Sequence, residues 1–114
     1  MAQLAVSVNG MAFANPVLPA AGPNVRSGAL LPAAVDGGAG GVVTKTVSVH
    51  PAVDPRPTLA KHAGGGLFNC ETWSESPVEE MLEAYRAVKA RGVPLICYLG
   101  YRPEELRVLG HLLE

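Results

Sequence analysis

Cysteine is nearly absent from the chain. The two that occur, Cys70 and Cys97, have neither the spacing of metal ligands nor the density of a secreted disulfide scaffold, which points to a reducing cytoplasm. An excess of charge of either sign is also missing. Nine basic residues face ten acidic ones, so no field draws the chain to a polyanion or an acidic membrane surface, and nucleic acid is not expected as a partner. The sequence opens without a basic segment followed by an apolar run, and no apolar stretch approaches a membrane span. The expectation is a soluble, cytoplasmic protein. The three His, at 50, 62 and 111, lack metal-ligand spacing, so no metal site is expected. Aromatic residues are sparse, at 5%, against 13 Gly and 10 Pro. Gly and Pro fall largely in the first two thirds, which suits short buried strands joined by shaped loops better than a helical bundle. At 114 residues the chain can form one domain at most.

Local patterns give an alternating order of elements. LAVSV at 4–8, Asn9-Gly10 and MAF at 11–13 predict an N-terminal hairpin. NPVLPAAG at 15–22 reads as a strand buried on both faces, ended by Gly22-Pro23. The spacing of Leu30, Leu31 and Ala34 predicts a helix within 27–35, in tension with Pro32. GVVTKTV at 41–47 reads as a second buried strand, and the Pro- and Gly-rich segment 48–66 as a loop. Ser76-Pro77-Val78-Glu79 has the form of a capping box opening a helix with Val78, Met81, Leu82, Tyr85 and Val88 on one face, stopped by Gly92. VPLICYL at 93–99 reads as a third strand, and Pro103 opens a last helix with Leu106, Leu109, Leu112 and Leu113 on one side.

This alternation predicts an α/β protein with a parallel sheet. Three parallel strands leave open edges. The Gly-rich DGGAGG at 36–41 precedes a strand, whereas a dinucleotide fingerprint follows one, so an open nucleotide-binding sheet is not expected. The expected completion is a (β/α)8 barrel, of which residues 1–114 would be a partial domain: a small hairpin and the first three β/α units. In such a barrel the chemistry gathers at the strand ends. Those ends are Ala20-Ala21-Gly22, Lys45-Thr46 and the loop LFNCETWSE at 67–75, which packs an amide, a thiol, two carboxylates and the only Trp into nine positions. Small residues let a flat ring approach the backbone, a cation meets an electron-rich heterocycle, and an amide with a carboxylate can grip its donors and acceptors.

With Asn15-Pro16, Ala20-Ala21-Gly22, Thr44-Lys45-Thr46 and Asn69 in this order and spacing, almost the whole chain resembles the flavin-dependent dihydroorotate dehydrogenase and dihydropyrimidine dehydrogenase family. Asn69, Glu71, Ser74 and Glu75 follow the N-x-E-x-x-S-E form of its pyrimidine-reducing branch. The resemblance implies an oxidoreductase that moves a hydride between FMN and a (dihydro)pyrimidine such as dihydroorotate or dihydrouracil. It further implies Ala20, Ala21, Lys45, Thr46 and Asn69 at the cofactor, with Lys45 beside the flavin N1 and O2, and Lys45, Asn69 and Glu71 at the pyrimidine. The Cys or Ser that exchanges a proton in the family belongs to a later loop, beyond Glu114. Cys70 falls at a variable position and Cys97 in a buried strand, so no catalytic residue is assigned within the chain.

Plainer expectations stand beside these. Trp73 would pack, Ser74 and Glu75 would prepare the helix start, and Glu104 and Glu105 would be helix-start carboxylates. HAGGG at 62–66 resembles an esterase oxyanion loop, but no G-x-S-x-G elbow accompanies it. The rival to the enzyme is a non-catalytic barrel remnant that self-associates to cover its strand edges, so the expected macromolecular partner is a second copy or the remainder of the barrel. A weaker third is a small binding module for heterocycles.

Overall fold

Asn9 and Gly10 adopt φ of 49° and 79°, the left-handed pair that a two-residue hairpin turn requires and that Asn-Gly supplies at least cost. They join β1 (Val6–Val8) to β2 (Met11–Phe13) in the expected hairpin. The hairpin is mostly exposed, but Phe13 is buried and packs on Gly41. The computed structural model describes residues 3–74, 76–100 and 102–114.

The remaining elements are α1 (Leu30–Asp36), β3 (Val42–Val43), β4 (Leu59–Lys61), β5 (Leu67–Asn69), α2 (Val78–Ala90), β6 (Leu95–Ile96) and α3 (Pro103–Leu113), with a short 3-10 turn at Pro23–Val25. The result is a small mixed α/β domain with three helices and short strands, and the described residues close no barrel. Its centre is the parallel pair β3–β6. The main-chain N–H groups of Val42, Thr44 and Val47 donate to the carbonyls of Pro94, Ile96 and Tyr98 at 2.9, 2.9 and 3.0 Å, and a bridge pairs Val47 with Leu99. Between them the buried Thr44 hydroxyl accepts the Tyr98 N–H at 3.0 Å, so a side chain continues the ladder where the backbone leaves it.

Three expectations are corrected here. Residues 15–22 form no strand. Pro16 and Pro19 remove donors a central strand needs, and the Asn15 side chain builds a turn instead, accepting from the Val17 N–H and donating to the Gly38 carbonyl, both at 3.0 Å. A second hydrogen bond, Gly40 N–H to Val17 carbonyl at 2.9 Å, also ties the segment to the chain entering β3. The loop at 48–66 contains β4, which pairs antiparallel with β5. HAGGG is the turn of that hairpin, closed by the His62 N–H on the Gly66 carbonyl at 2.8 Å and by edge-to-face contact of His62 with Phe68. The capping box at 76–79 does not form. Pro77 is the N-cap of α2 without a side-chain cap, and the Val78 N–H donates to the Ser48 carbonyl at 3.2 Å, joining the helix start to the end of the ribbon.

α2 buries Val78, Met81, Ala84, Tyr85 and Val88 against Leu31 of α1, Val42 and Val47 of the ribbon and Leu109 of α3; this is the expected face except that Ala84 is buried and Leu82 only partly so. Each fully buried aliphatic side chain of this kind contributes roughly 1.5–3 kcal/mol. α1 opens at Leu30, which puts Pro32 in the first turn, where its missing N–H is tolerated.

Tyr85 is the discordant member of this core. Its ring is buried and its hydroxyl has no hydrogen-bond partner among the described residues. Burial pushes the hydroxyl up to about 12, against a smaller opposing influence of Thr44. The unfolded chain, with an ordinary Tyr near 10, gives up this proton first, so stability falls as pH rises from about 10 to about 12. Tyr85→Phe is expected to remove that alkaline limb and to raise stability at pH 7 by about 1 kcal/mol, because it deletes an unpaired buried hydroxyl. Urea unfolding at pH 7 and pH 11 checks both; a loss of stability at pH 7 would show that the hydroxyl has a partner.

Candidate functional site

The ribbon delivers three polar residues to its carboxyl end. Thr44 and Thr46 are buried, and Lys45 between them lies with its side chain only 12% exposed. An ammonium at that depth needs a counter-charge, and Glu71 supplies it: Lys45 Nζ donates to Glu71 Oε1. The pair was not anticipated from the sequence, where both residues are expected at the pyrimidine and neither as the partner of the other.

Glu71 reaches Lys45 because the chain turns sharply after β5. The Asn69 side-chain oxygen accepts the Glu71 N–H at 2.9 Å, a local turn that only Asn, Asp, Ser or Thr can make. Further along, Asp54 accepts the Thr72 N–H at 2.7 Å and the Thr72 hydroxyl as well, and the Ala52 N–H donates to the Ser74 carbonyl at 2.6 Å. The loop 69–74 is thereby pinned from both ends. Asp54 escapes sequence reading because it sits in a Pro-rich segment with no periodicity to mark it.

Ala21, Lys45, Thr46, Asn69 and Glu71 line one cleft of about 220 Å³, together with Thr72 and Trp73. Five of the six residues expected at the cofactor or the pyrimidine therefore meet in one place, from three separate segments. Ala20 is exposed and does not line it. Trp73 is 59% exposed at the cleft wall, which corrects the expectation that it packs inside. Glu75 lies outside the described residues. Ser74 is buried, where the Ser48 hydroxyl donates to its oxygen at 2.8 Å, with the His50 carbonyl at 2.9 Å as the alternative acceptor.

Chemically, the cleft offers a cation neutralised by a carboxylate, the Asn69 amide donors, and the Thr46 hydroxyl. Thr46 is 9% exposed and its side chain makes no hydrogen bond to the described residues. An uncommitted hydroxyl beside a cation and a small side chain suits the polar edge of a heterocycle. Cys70 turns its thiol toward the Thr58 carbonyl at 3.3 Å, and burial pushes the Cys97 thiol up, away from an activated nucleophile. Among the described residues no three His, Cys, Asp or Glu side chains gather as metal ligands, and no helix is long and apolar enough to cross a membrane. The chain matches no protein-family model and no curated protein.

Proposed function

We propose that this chain belongs to a flavin-dependent oxidoreductase that moves a hydride between FMN and a (dihydro)pyrimidine such as dihydroorotate or dihydrouracil, with its elements serving as the opening β/α units of a (β/α)8 barrel. The observation that carries the reading is the meeting of Ala21, Lys45, Thr46, Asn69 and Glu71 around one cleft. FMN, when bound, supplies the hydride-transferring ring.

The chain's own residues bind and orient. The Lys45 ammonium, held in place by Glu71, presents positive charge where an electron-rich ring or a carbonyl oxygen rests. Asn69 Oδ1 is committed to the Glu71 N–H, so its amide N–H groups are the part left for a pyrimidine carbonyl. Glu71 accepts from a ring N–H with the oxygen that Lys45 leaves unused. A ligand lacking the matching donor leaves that carboxylate oxygen unpaired, which is the basis of selectivity. Proton exchange at the neighbouring carbon is assigned to no residue of this chain.

The direct test is titration of the purified chain with FMN, followed by flavin fluorescence. Saturable quenching at micromolar FMN is expected; no binding by roughly 100 μM, well above the usual range of cofactor sites, would refute the claim that this chain holds the cofactor. A second reading, a remnant that self-associates, draws on the β3–β6 ribbon, whose outer edges pair with no further strand among the described residues, and on exposed Leu106, Val108 and Leu112 of α3. A dimer by sedimentation with no flavin binding would favour it.

A further inference from the structure

Beside the Lys45 cleft lies a second, more enclosed cavity of about 230 Å³. Thr46, Thr72 and Trp73 line both, so the two are neighbours across a shared wall. The far side of the second cavity is formed by Ser48, Ser74, His50, Arg102 and Glu105.

The chemistry of that lining differs from the first cleft in two ways. Its fixed charges cancel: Arg102 brings a guanidinium and Glu105 a carboxylate, yet the two form no ion pair with each other or with another described residue. An anionic group entering here meets Glu105 and a cationic one meets Arg102, so a neutral group is favoured. The lining is also rich in both kinds of hydrogen-bonding group. Arg102 only donates, Glu105 only accepts, and the Thr46 hydroxyl does either. Glu105 is folded inward so closely that one of its oxygens lies 2.6 Å from where a β-carbon on residue 100 would stand, a place kept open by Gly100. A carboxylate so placed, with no donor among the described residues, is the acceptor that vicinal hydroxyls satisfy, as when an acidic residue takes a ribose hydroxyl in dinucleotide sites. The indole of Trp73 at the shared wall provides an apolar face of the kind on which a sugar or a base rests.

We infer that the second cavity holds the sugar of a pyrimidine nucleoside whose base lies in the Lys45 cleft, so that the ligand class is a nucleoside and the free base is the weaker ligand. The inference rests on the pyrimidine reading of the first cleft. Glu105 accepts from the sugar diol, Arg102 donates to its oxygens, and Thr46 sits at the junction of sugar and base.

The only Trp of the chain lines both cavities, so its fluorescence reports binding in either. Titrations with uracil, uridine and 2′,3′-dideoxyuridine are expected to show uridine binding about tenfold more tightly than uracil, the gain of one to two well-placed hydrogen bonds. Dideoxyuridine should lose that gain, and Glu105→Gln should weaken uridine by a similar factor. Uracil binding as tightly as uridine would overturn the sugar cavity and leave the pyrimidine cleft standing. No response to either uracil or uridine would overturn both.

Discussion

Gly40→Ala should destabilise the domain by roughly 3 kcal/mol and lower the melting temperature by roughly 10 °C. A β-carbon at residue 40 would stand 2.0 Å from the Asn15 carbonyl oxygen and 2.9 Å from its carbonyl carbon. Both are backbone atoms, which have no rotamer to escape into, so the two strands of chain must separate. What separates is functional: the Gly40–Val17 hydrogen bond, together with that from the Asn15 side chain to the Gly38 carbonyl, holds 15–22, and hence Ala21 at the cleft, against the chain entering β3. The variant should therefore lose FMN binding as well as stability. Gly110→Ala is the matched control. Its β-carbon meets nothing within 4 Å, in the interior of α3, so the higher helix propensity of Ala should stabilise by roughly 0.5–1 kcal/mol. Thermal unfolding of both variants checks the pair, and equal melting temperatures would remove Gly40 from any structural role.

Lys45→Met should weaken FMN by about 10- to 100-fold, the value of a charge-assisted hydrogen bond in a partly desolvated site. Glu71→Gln should behave differently. It keeps an amide oxygen to accept from the Lys45 ammonium, so FMN affinity should stay within about threefold, while the pyrimidine meets an N–H where it needs an acceptor and binds about tenfold more weakly. Calorimetric titration of each variant with FMN and with uracil separates the roles. If both substitutions weakened both ligands equally, the pair would be a structural clamp for the 69–74 loop and not a divided binding site.

Much of the helical part was legible because its cause is periodic. The apolar spacing from Val78 to Val88 fixes the buried face of α2, and Asn9-Gly10 specifies a hairpin by backbone chirality alone. The segments misread are those decided by individual side chains or distant partners. NPVLPAAG has the composition of a buried strand, but its prolines cannot donate and the Asn15 side chain turns the chain. The β4–β5 hairpin shows no alternation, since both strands are exposed along their length and nothing selects one face. Ser76 loses the helix cap because the Ser48 carbonyl, far away in sequence, reaches the Val78 N–H instead. At the site, the residue types were readable from the strand ends, and five of them do converge. Their pairing was not: that Lys45 is neutralised by Glu71, that Asn69 is partly spent on its own turn, and that Asp54 holds the loop all depend on contacts 18 to 26 residues apart or on a local turn.

The most direct test of the central claim, that one cleft formed by three segments takes a flavin and a pyrimidine, is an amide chemical-shift map of the labelled chain titrated first with FMN and then with uracil. The account predicts that FMN perturbs residues 20–22, 44–46 and 69–73 together, with uracil adding shifts at 69–73 while α1 and the β1–β2 hairpin stay unchanged. Shifts scattered over the exposed apolar surface of α3, or none at the Lys45–Glu71 pair, would contradict it.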